Sequence, residues 1–529
     1  MAKDVRNTTS PSLHEQIRGE DVRSVAFVSL GCPKNLVDSE KMLGLLAEDG
    51  IAITPDHEEA DAIVINTCGF LEASKTESID VIREAIESKK RALEAGTGKR
   101  VIVAGCLVQR HKATLLNEVP EVDALVGVFD RENIVKAVRG ASFAPFGDAG
   151  QDLGQFHAVS KFIHKPGKAD IGKGYRESDR ARLRLTPRHY AYLRVSEGCN
   201  QGCTFCTIPS IRGRMRSKPL TDILSEAEEL LADGAFELNL IGQDTTSYGT
   251  DIGYDQPGEG LCGMLRSLDR LVGRKAPGSW LRLMYAYPSC FTDEMIKTLA
   301  DCRHVVKYID MPLQHINDGI LQSMRRKVTR GQIETLLGKL RKWVPGITLR
   351  TTFISGFPGE TEAQHQELLQ FIREFEFENV GVFEYSPEPG TPAGRLHESQ
   401  AIAPEIAARR KEEIMLAQQE IVFRKNAGFV GSTIKVLVDE VQPRKKTGVG
   451  RHAGQAPDID SRVLLGKCTA GPGELLSVRI EDYVDYDLVG SPVEAVARPA
   501  REVKKKSRGL SLPVMGAVVT SVETRGKKA

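Results

Sequence analysis

Ten cysteines are spread over 529 residues, and three of them fall within one eight-residue loop, Cys199-Asn-Gln-Gly-Cys203-Thr-Phe-Cys206. The loop follows a strand-like run, YAYLRV (190–195), and carries Gly198 and Gly202, which let the backbone turn tightly. Three thiolates at this spacing wrap one face of a compact metal centre. Structural zinc normally takes four protein ligands, and His189, ten residues upstream of Cys199, is a candidate for the fourth. A [4Fe–4S] cluster held by three cysteines instead leaves one iron open to a small chelating molecule.

A second set is dispersed. Cys32 follows the run VAFVSL (25–30), Cys68 follows AIVIN (62–66) and Cys106 follows RVIVAG (100–105). These short, β-branched, apolar runs are separated by helix-length segments such as 38–48 and 72–94, the pattern of a parallel sheet covered on both faces. The carboxyl ends of such strands open into one crevice, where ligands bind. Singly, each cysteine reads as a small buried hydrophobe. Placed at three neighbouring strand ends, they form a second candidate triad for a cluster with one open iron. Cys262, Cys290, Cys302 and Cys468 have no ligand spacing and are expected to be structural.

The elements that must position these residues give an α/β protein. Residues 22–140 form the parallel α/β domain, and 141–184 read as a linker rich in Gly, Lys, Arg and Asp. Over 185–425, strand candidates at 190–196, 236–244, 280–288, 306–313, 347–358 and 380–387 alternate with helical stretches. That order predicts a complete or partial (β/α) barrel. Gly242-Gln243-Asp244 and Gly356-Phe-Pro-Gly-Glu360 end two of its strands and therefore lie at its mouth, where a cofactor sits; ordinary turns are the alternative. Arg212, Arg214 and Arg216 follow the cysteine loop and either hold an anionic group or cover the loop. Glu384 and Tyr385 are candidate pocket residues. After one helix over 404–426, the strand-like pieces of 428–492 predict a small antiparallel β-barrel, and 493–529 form a basic tail expected to be disordered.

Composition narrows the function. The 72 Lys+Arg against 71 Asp+Glu give a formal charge of +1, which argues against a chain dominated by non-specific nucleic-acid binding. That total hides a tail, 501–529, with eight Lys/Arg and two Glu, so the other 500 residues sum to −5. No run approaches the ~18–20 apolar residues of a spanning helix, and the first twenty residues are polar with no signal-like apolar stretch. A cytoplasmic protein with reduced cysteines and no membrane association is expected.

The Cys199–Cys206 loop resembles the signature of the radical S-adenosylmethionine superfamily. The resemblance implies a [4Fe–4S] cluster on Cys199, Cys203 and Cys206 whose open iron binds S-adenosylmethionine. One electron then cleaves the sulfonium to a radical that abstracts a substrate hydrogen. SLGCPKNLVDSE (29–40), NTCGFLEASKTESI (66–79) and AGCLVQR (104–110) resemble the first domain of methylthiotransferases, and the terminal barrel resembles a TRAM domain. The likeness covers about 22–492. It implies that Cys32, Cys68 and Cys106 hold an auxiliary [4Fe–4S] cluster that handles incoming sulfur. It further favours Gly242, Gln243, Asp244, Gly356 and Arg212 as cofactor contacts, with a reducing electron donor and a sulfur donor as partners.

Within that family, one branch modifies tRNA adenosine and another the β-carbon of an aspartate in ribosomal protein S12. Pro33-Lys34-Asn35, Gln243-Asp244-Thr245-Thr246, MYAYP (284–288), YIDMPLQH (308–315), YSPEPGTPA (385–393) and APDID (456–460) resemble the protein-modifying branch. Two S-adenosylmethionine molecules are implied, one as methyl source and one as radical source. Ser217-Lys218 departs from the usual Ser-Arg. The terminal barrel, with eight Lys/Arg and nine Asp/Glu over 428–492, suits a basic protein better than RNA; the acids 481, 482, 485 and 487 are its candidate contacts. The rivals are a tRNA methylthiotransferase, an iron–sulfur electron carrier and a structural zinc protein.

Overall fold

Strands β1 (Ser24–Ser29), β2 (Ala52–Thr54), β3 (Ala62–Thr67), β4 (Arg100–Gly105), β5 (Ala124–Val126) and β6 (Ser160–Phe162) form one parallel sheet in the order β2-β1-β3-β4-β5-β6. The computed structural model describes residues 22–140, 160–162, 178–254 and 256–495; most of the N-terminal extension, most of the expected linker and all of the expected basic tail but 493–495, which end the last strand, lie outside them. Every residue of β3 is buried, because both faces of the sheet are covered and alternate side chains enter different cores. Ile63, Ile65, Val101 and Val103 pack with helices α2 (Glu72–Glu94) and α3 (Cys106–His111). Ala62, Val64, Ile102 and Ala104 pack with α1 (Pro33–Glu48) and α4 (Ile134–Val138). One departure from expectation is β6: part of the segment read as a linker completes this sheet beside β5.

The second sheet contains β7 (Tyr190–Arg194), β10 (Glu237–Ile241), β11 (Trp280–Leu283), β12 (Val305–Asp310), β13 (Thr348–Ser355) and β14 (Asn379–Glu384). All six are parallel, in the order β14-β13-β12-β11-β10-β7, with β7 and β14 left as edges. It is therefore a partial barrel; the short pair β8 (Ser196–Glu197) and β9 (Arg216–Ser217) lies apart from it. Alternation sorts its residues. Leu193, Leu238, Leu240, Leu281, Leu283 and Ile309 join the large apolar core beneath the outer helices. These helices include α6 (Leu220–Ala232), α7 (Gly260–Lys275), α8 (Asp293–Asp301), α10 (Arg330–Trp343) and α11 (Glu362–Phe375). Thr329 and Thr361 cap α10 and α11, each reciprocated by the glutamine three residues on. The opposite strand face presents Tyr190, Tyr192, Arg194, Glu237, Asn239, Arg282, Tyr308 and Asp310 to a polar lumen. The short helices α5 (Ile208–Ile211), α9 (Asp318–Ser323) and α12 (Pro392–Gln400) lie beyond strand ends, and α13 (Pro404–Phe429) leads to the last domain.

That domain is a closed barrel, β15-β16-β17-β19-β18, built from β15 (Thr433–Gln442), β16 (Thr447–His452), β17 (Val463–Leu465), β18 (Leu475–Val484) and β19 (Asp487–Ala495). Two expectations change. The β17–β19 pair is parallel, so the barrel is not wholly antiparallel; a closed ring of five strands cannot alternate direction all the way round. Strand β16, TGVGRH, is additional. Its glycines hide it in the sequence, yet a Cβ at Gly450 would lie 2.5 Å from the Leu437 carbonyl oxygen, so close strand approach demands them.

The barrel seats against the amino-terminal part of the lumen. Arg451 and Arg282 each donate to Glu237 at 2.7 Å. Arg451 also pairs with Asp439, which meets His189 Nε2 at 2.8 Å. Tyr192 donates to Asp458 at 3.0 Å and Tyr308 to Asp460 at 2.8 Å, so the APDID segment is a docking latch. Burial pushes the Glu237 and Asp439 carboxyls up, but Arg451 with Arg282, and His189 with Arg451, prevail and hold both below the ordinary carboxylate range. Their stabilisation is thus complete at neutral pH and is lost as pH falls from the ordinary carboxylate range through the lowered values. Urea unfolding followed by tryptophan fluorescence is expected to show this loss on acidification. Glu237→Gln should start about 3–5 kcal/mol less stable at pH 7, because buried Arg282 loses its counter-charge and Arg451 keeps only Asp439, and should lose less on acidification.

Candidate active site

Cys32 caps the start of α1 directly after β1, Cys68 follows β3 and Cys106 opens α3 after β4. The three loops are interlocked by side-chain amides. Asn35 donates to the Thr67 carbonyl at 2.9 Å and accepts from the Cys106 thiol at 3.2 Å. Asn66 donates to the Asn35 carbonyl and to Ser39, each at 2.8 Å. Gly31 has φ +92°, and a Cβ there would lie 2.8 Å from Cys68 Cβ, so glycine brings the Cys32 and Cys68 loops together. All three thiols are free; Cys68 and Cys106 are buried and Cys32 is exposed. Burial pushes the Cys68 thiol up and that of Cys106 to about 12, with neighbouring cysteines adding to the effect. Three convergent thiols that repel one another's charge fit a cationic iron–sulfur centre, which supplies the missing positive charge.

The second triad lies beyond β7 and β8. Gly198, at φ +76°, passes 2.2 Å from the Arg214 carbonyl oxygen when given a Cβ, and the Cys199 amide donates to the Gly213 carbonyl at 3.2 Å. The Thr204 amide donates to the Met324 carbonyl at 3.1 Å, tying the loop to the end of α9. Gln201 donates to Asp244 at 2.6 Å, and Asp244 also accepts from Ser247 Oγ at 2.7 Å. Arg326, buried and stacked 4.1 Å from the Tyr287 ring centroid, donates to Cys203 Sγ at 3.4 Å. Burial raises the Cys199 thiol to about 11 and the Cys206 thiol to about 12. Donors to sulfur and a closed loop are what a cluster site requires. His189, weighed as a zinc ligand, is instead engaged by Asp439.

Between the two triads lies a buried ionic network. Asp38 of α1 accepts from Arg131, from Arg194 at 2.6 Å and from Arg212 at 3.0 Å. Asp179 pairs with Arg131, Arg194 and Lys218, Glu197 with Arg194 and Arg212, and Lys218 with Glu226. Glu40 and Glu226 hold Arg182. A second clamp joins Arg110, just after Cys106, to buried Glu388 at 2.7 Å.

The expected cofactor residues divide. Arg212 does not face the barrel mouth: its guanidinium contacts Glu197, Asp38, Asn35 and Cys106 Sγ, so it bridges the triads. Asp244 is occupied in holding Gln201 and the 246–247 turn. Gly356, at φ +74°, is required for packing, since a Cβ would lie 2.5 Å from Ala407 Cβ. Gln243 and Gly242 remain at the mouth. Gln243 Oε1 is buried without a partner, as are Ser196 Oγ beside Gly242 and both polar atoms of Asn239 in the lumen. These orphaned groups fit a polar, zwitterionic ligand such as S-adenosylmethionine. Glu384 pairs at the surface with Lys411, whereas Tyr385 packs on Phe357 with its hydroxyl unpartnered.

Sequence reasoning missed Asp38, Asp179 and Arg326, whose roles depend on partners far along the chain, and it read Lys218 only as a mild departure. Arg212→Ala leaves Asp38 and Glu197 short of a counter-charge. It is expected to destabilise the junction by about 3–5 kcal/mol. Hydrogen exchange should quicken in α1 and the 197–217 segment but not in the terminal barrel.

Three stretches match known families: residues 24–127 the uncharacterized protein family UPF0004, 193–372 the radical SAM superfamily and 430–493 the TRAM domain. The chain is 42% identical over 474 residues to the ribosomal protein uS12 methylthiotransferase RimO of Bdellovibrio bacteriovorus, covering 89% of this chain and 98% of that protein. It is 42% identical over 496 residues to the same-named protein of Sorangium cellulosum, covering 93% of each. Among solved structures, the radical S-adenosylmethionine methyltransferase TsrM from Kitasatospora setae shares the fold. Its TM-score is 0.50 at 14% identity, over 75% of this chain and 89% of that one. At that identity and reach to its relatives, the chain belongs to the RimO family of methylthiotransferases, enzymes of the radical S-adenosylmethionine superfamily.

Proposed function

We propose that this enzyme places a methylthio group on the β-carbon of an aspartate in ribosomal protein S12. The reading includes two [4Fe–4S] clusters, two S-adenosylmethionine molecules, a sulfur donor, a reducing electron donor and action in the cytoplasm. The observation that carries it is the pair of cysteine triads held across one junction, with Arg212 reaching from the loop after Cys206 to Cys106. Relatives about 40% identical over most of their length are named uS12 methylthiotransferases, which favours the protein substrate over tRNA. A carbon-bound hydrogen beside a carboxylate is poorly acidic, so general-base chemistry is ill suited to this position. A [4Fe–4S] cluster held by Cys199, Cys203 and Cys206 would supply one-electron reduction of S-adenosylmethionine, the chemistry that a hydrogen abstraction here requires.

The chain's own residues position and protect. Cys199, Cys203 and Cys206 would hold the radical cluster, and Gln201 and Asp244 fix their loop. Gln243, Ser196 and Asn239 offer unpartnered polar atoms to the bound cofactor. The docked terminal barrel closes the lumen at its amino-terminal part and so limits water access to the reacting centre. Cys32, Cys68 and Cys106 would present sulfur from the facing side, at a spacing set by the ionic network.

Replacing Cys32, Cys68 and Cys106 together by alanine is expected to halve the iron bound per chain while S-adenosylmethionine cleavage continues. Anaerobic iron analysis and 5′-deoxyadenosine assays read this out. For the substrate, intact-mass and peptide mass spectrometry of S12 from cells with and without the gene should show a methylthio-sized mass on an aspartate only when the gene is present. Its persistence in the deletion strain overturns the assignment.

A further inference from the structure

Lys34 is the second residue of α1, two positions after Cys32, and it is only 6% exposed. Its ammonium lies 2.9 Å from the centroid of the Tyr285 ring. Among the described residues it makes no hydrogen bond or ion pair. The carboxylates around it are taken: Asp38 by three arginines, Glu197 by Arg194 and Arg212, and Asp310 by Arg350 at 2.7 Å. Its other anionic neighbour is the Cys32 thiol two residues back, which the auxiliary cluster would engage, so the buried ammonium still calls for an anion.

Its aromatic neighbour is held equally deliberately. Tyr285 has φ +60°, a strained value for a bulky residue. Its amide donates to Asp310 Oδ2 at 3.2 Å and its carbonyl accepts from the Thr245 amide at 3.1 Å. The strain is over-determined by neighbours, as at ligand clamps. Tyr285 follows β11 at the carboxyl end of the partial barrel, while Lys34 belongs to the facing domain. The ammonium therefore lies at the junction of the two cysteine sites.

We propose that Lys34 binds the side-chain carboxylate of the substrate residue and so selects a carboxylate-bearing protein segment for this site. The inference rests on the reading of an S12 aspartate as substrate. The β-carbon is bonded directly to the carboxyl carbon. A charge-assisted grip on the oxygens thus fixes the reacting C–H one bond away, with the Tyr285 face beneath.

The test uses the holoenzyme with both clusters and S12 in two forms, natural and with the modified aspartate replaced by asparagine. Wild-type enzyme should bind the natural form about tenfold or more tightly than the asparagine form, the scale of one charge-assisted contact. Lys34→Met should lose that preference, weakening binding of the natural form alone, and Lys34→Arg should keep it. Fluorescence anisotropy reads the affinities without turnover. Equal weakening of both forms by Lys34→Met, or a preference that survives it, overturns the proposal. So does loss of the preference in Lys34→Arg with iron content intact. If wild-type enzyme neither binds nor modifies S12, the substrate reading fails instead, and the two failures are distinct.

Discussion

Five cations and five carboxylates, buried together where the first domain meets the partial barrel, set the geometry on which both cysteine sites depend. Arg131, Arg182, Arg194, Arg212 and Lys218 face Asp38, Glu40, Asp179, Glu197 and Glu226. Such a balanced network adds little net stability, because each ion was better hydrated in water. It is specific, however, since any sliding of one domain over the other strands an unpaired buried charge. Asp38 and Glu40 lie on α1, whose first residue follows Cys32, while Glu197 and Arg212 flank the Cys199–Cys206 loop. Registry of the ions is therefore registry of the triads.

The partial barrel makes this arrangement possible. Six strands leave a sheet with two edges and a polar inner face, which isolated would expose tyrosines and arginines to solvent. The terminal barrel covers the amino-terminal part through Glu237, Arg282 and the aspartates of APDID, and α1 covers the other end beside β7. Asn239 of the inner face and Gln243 and Tyr285 beyond the strand ends remain on this side, with Lys34 of α1 over the Tyr285 ring. Asn239 and Gln243 carry buried polar atoms with no partner among the described residues, as expected where ligands complete the hydrogen bonding.

The sheet strands and both triads were legible because their signals are local: a β-branched run, then a cysteine, repeated. The fates of Arg212, Asp244 and Gly356 were not legible, because each depends on an atom distant in sequence: Cys106 for Arg212, Gln201 for Asp244, Ala407 for Gly356. Asp179 was hidden differently, at the end of a segment whose composition reads as linker. Strand β16 was obscured by the glycines that its close packing needs. The parallel pair in the terminal barrel was accessible in principle from parity, once five strands are counted.

The charge of the terminal barrel, taken whole, also changes meaning when its residues are placed. Its slight acidic excess includes Asp439, Asp458 and Asp460, which together with Arg451 are committed to the docking interface. Without those four, seven Lys/Arg face six Asp/Glu, and the acidic excess is gone. They are also polarised: Arg444, Lys445 and Lys446 are exposed at the β15–β16 turn, and Glu481, Asp482 and Asp485 around the β18–β19 turn. A bipolar barrel can orient a partner without discriminating protein from RNA by net charge. Discrimination then falls to the mouth, where the methylthiotransferase chemistry meets its substrate and where a carboxylate and a nucleobase differ most in charge. Lys34 occupies that position, which makes the identity of one side chain in the first domain more informative about substrate class than the composition of the last.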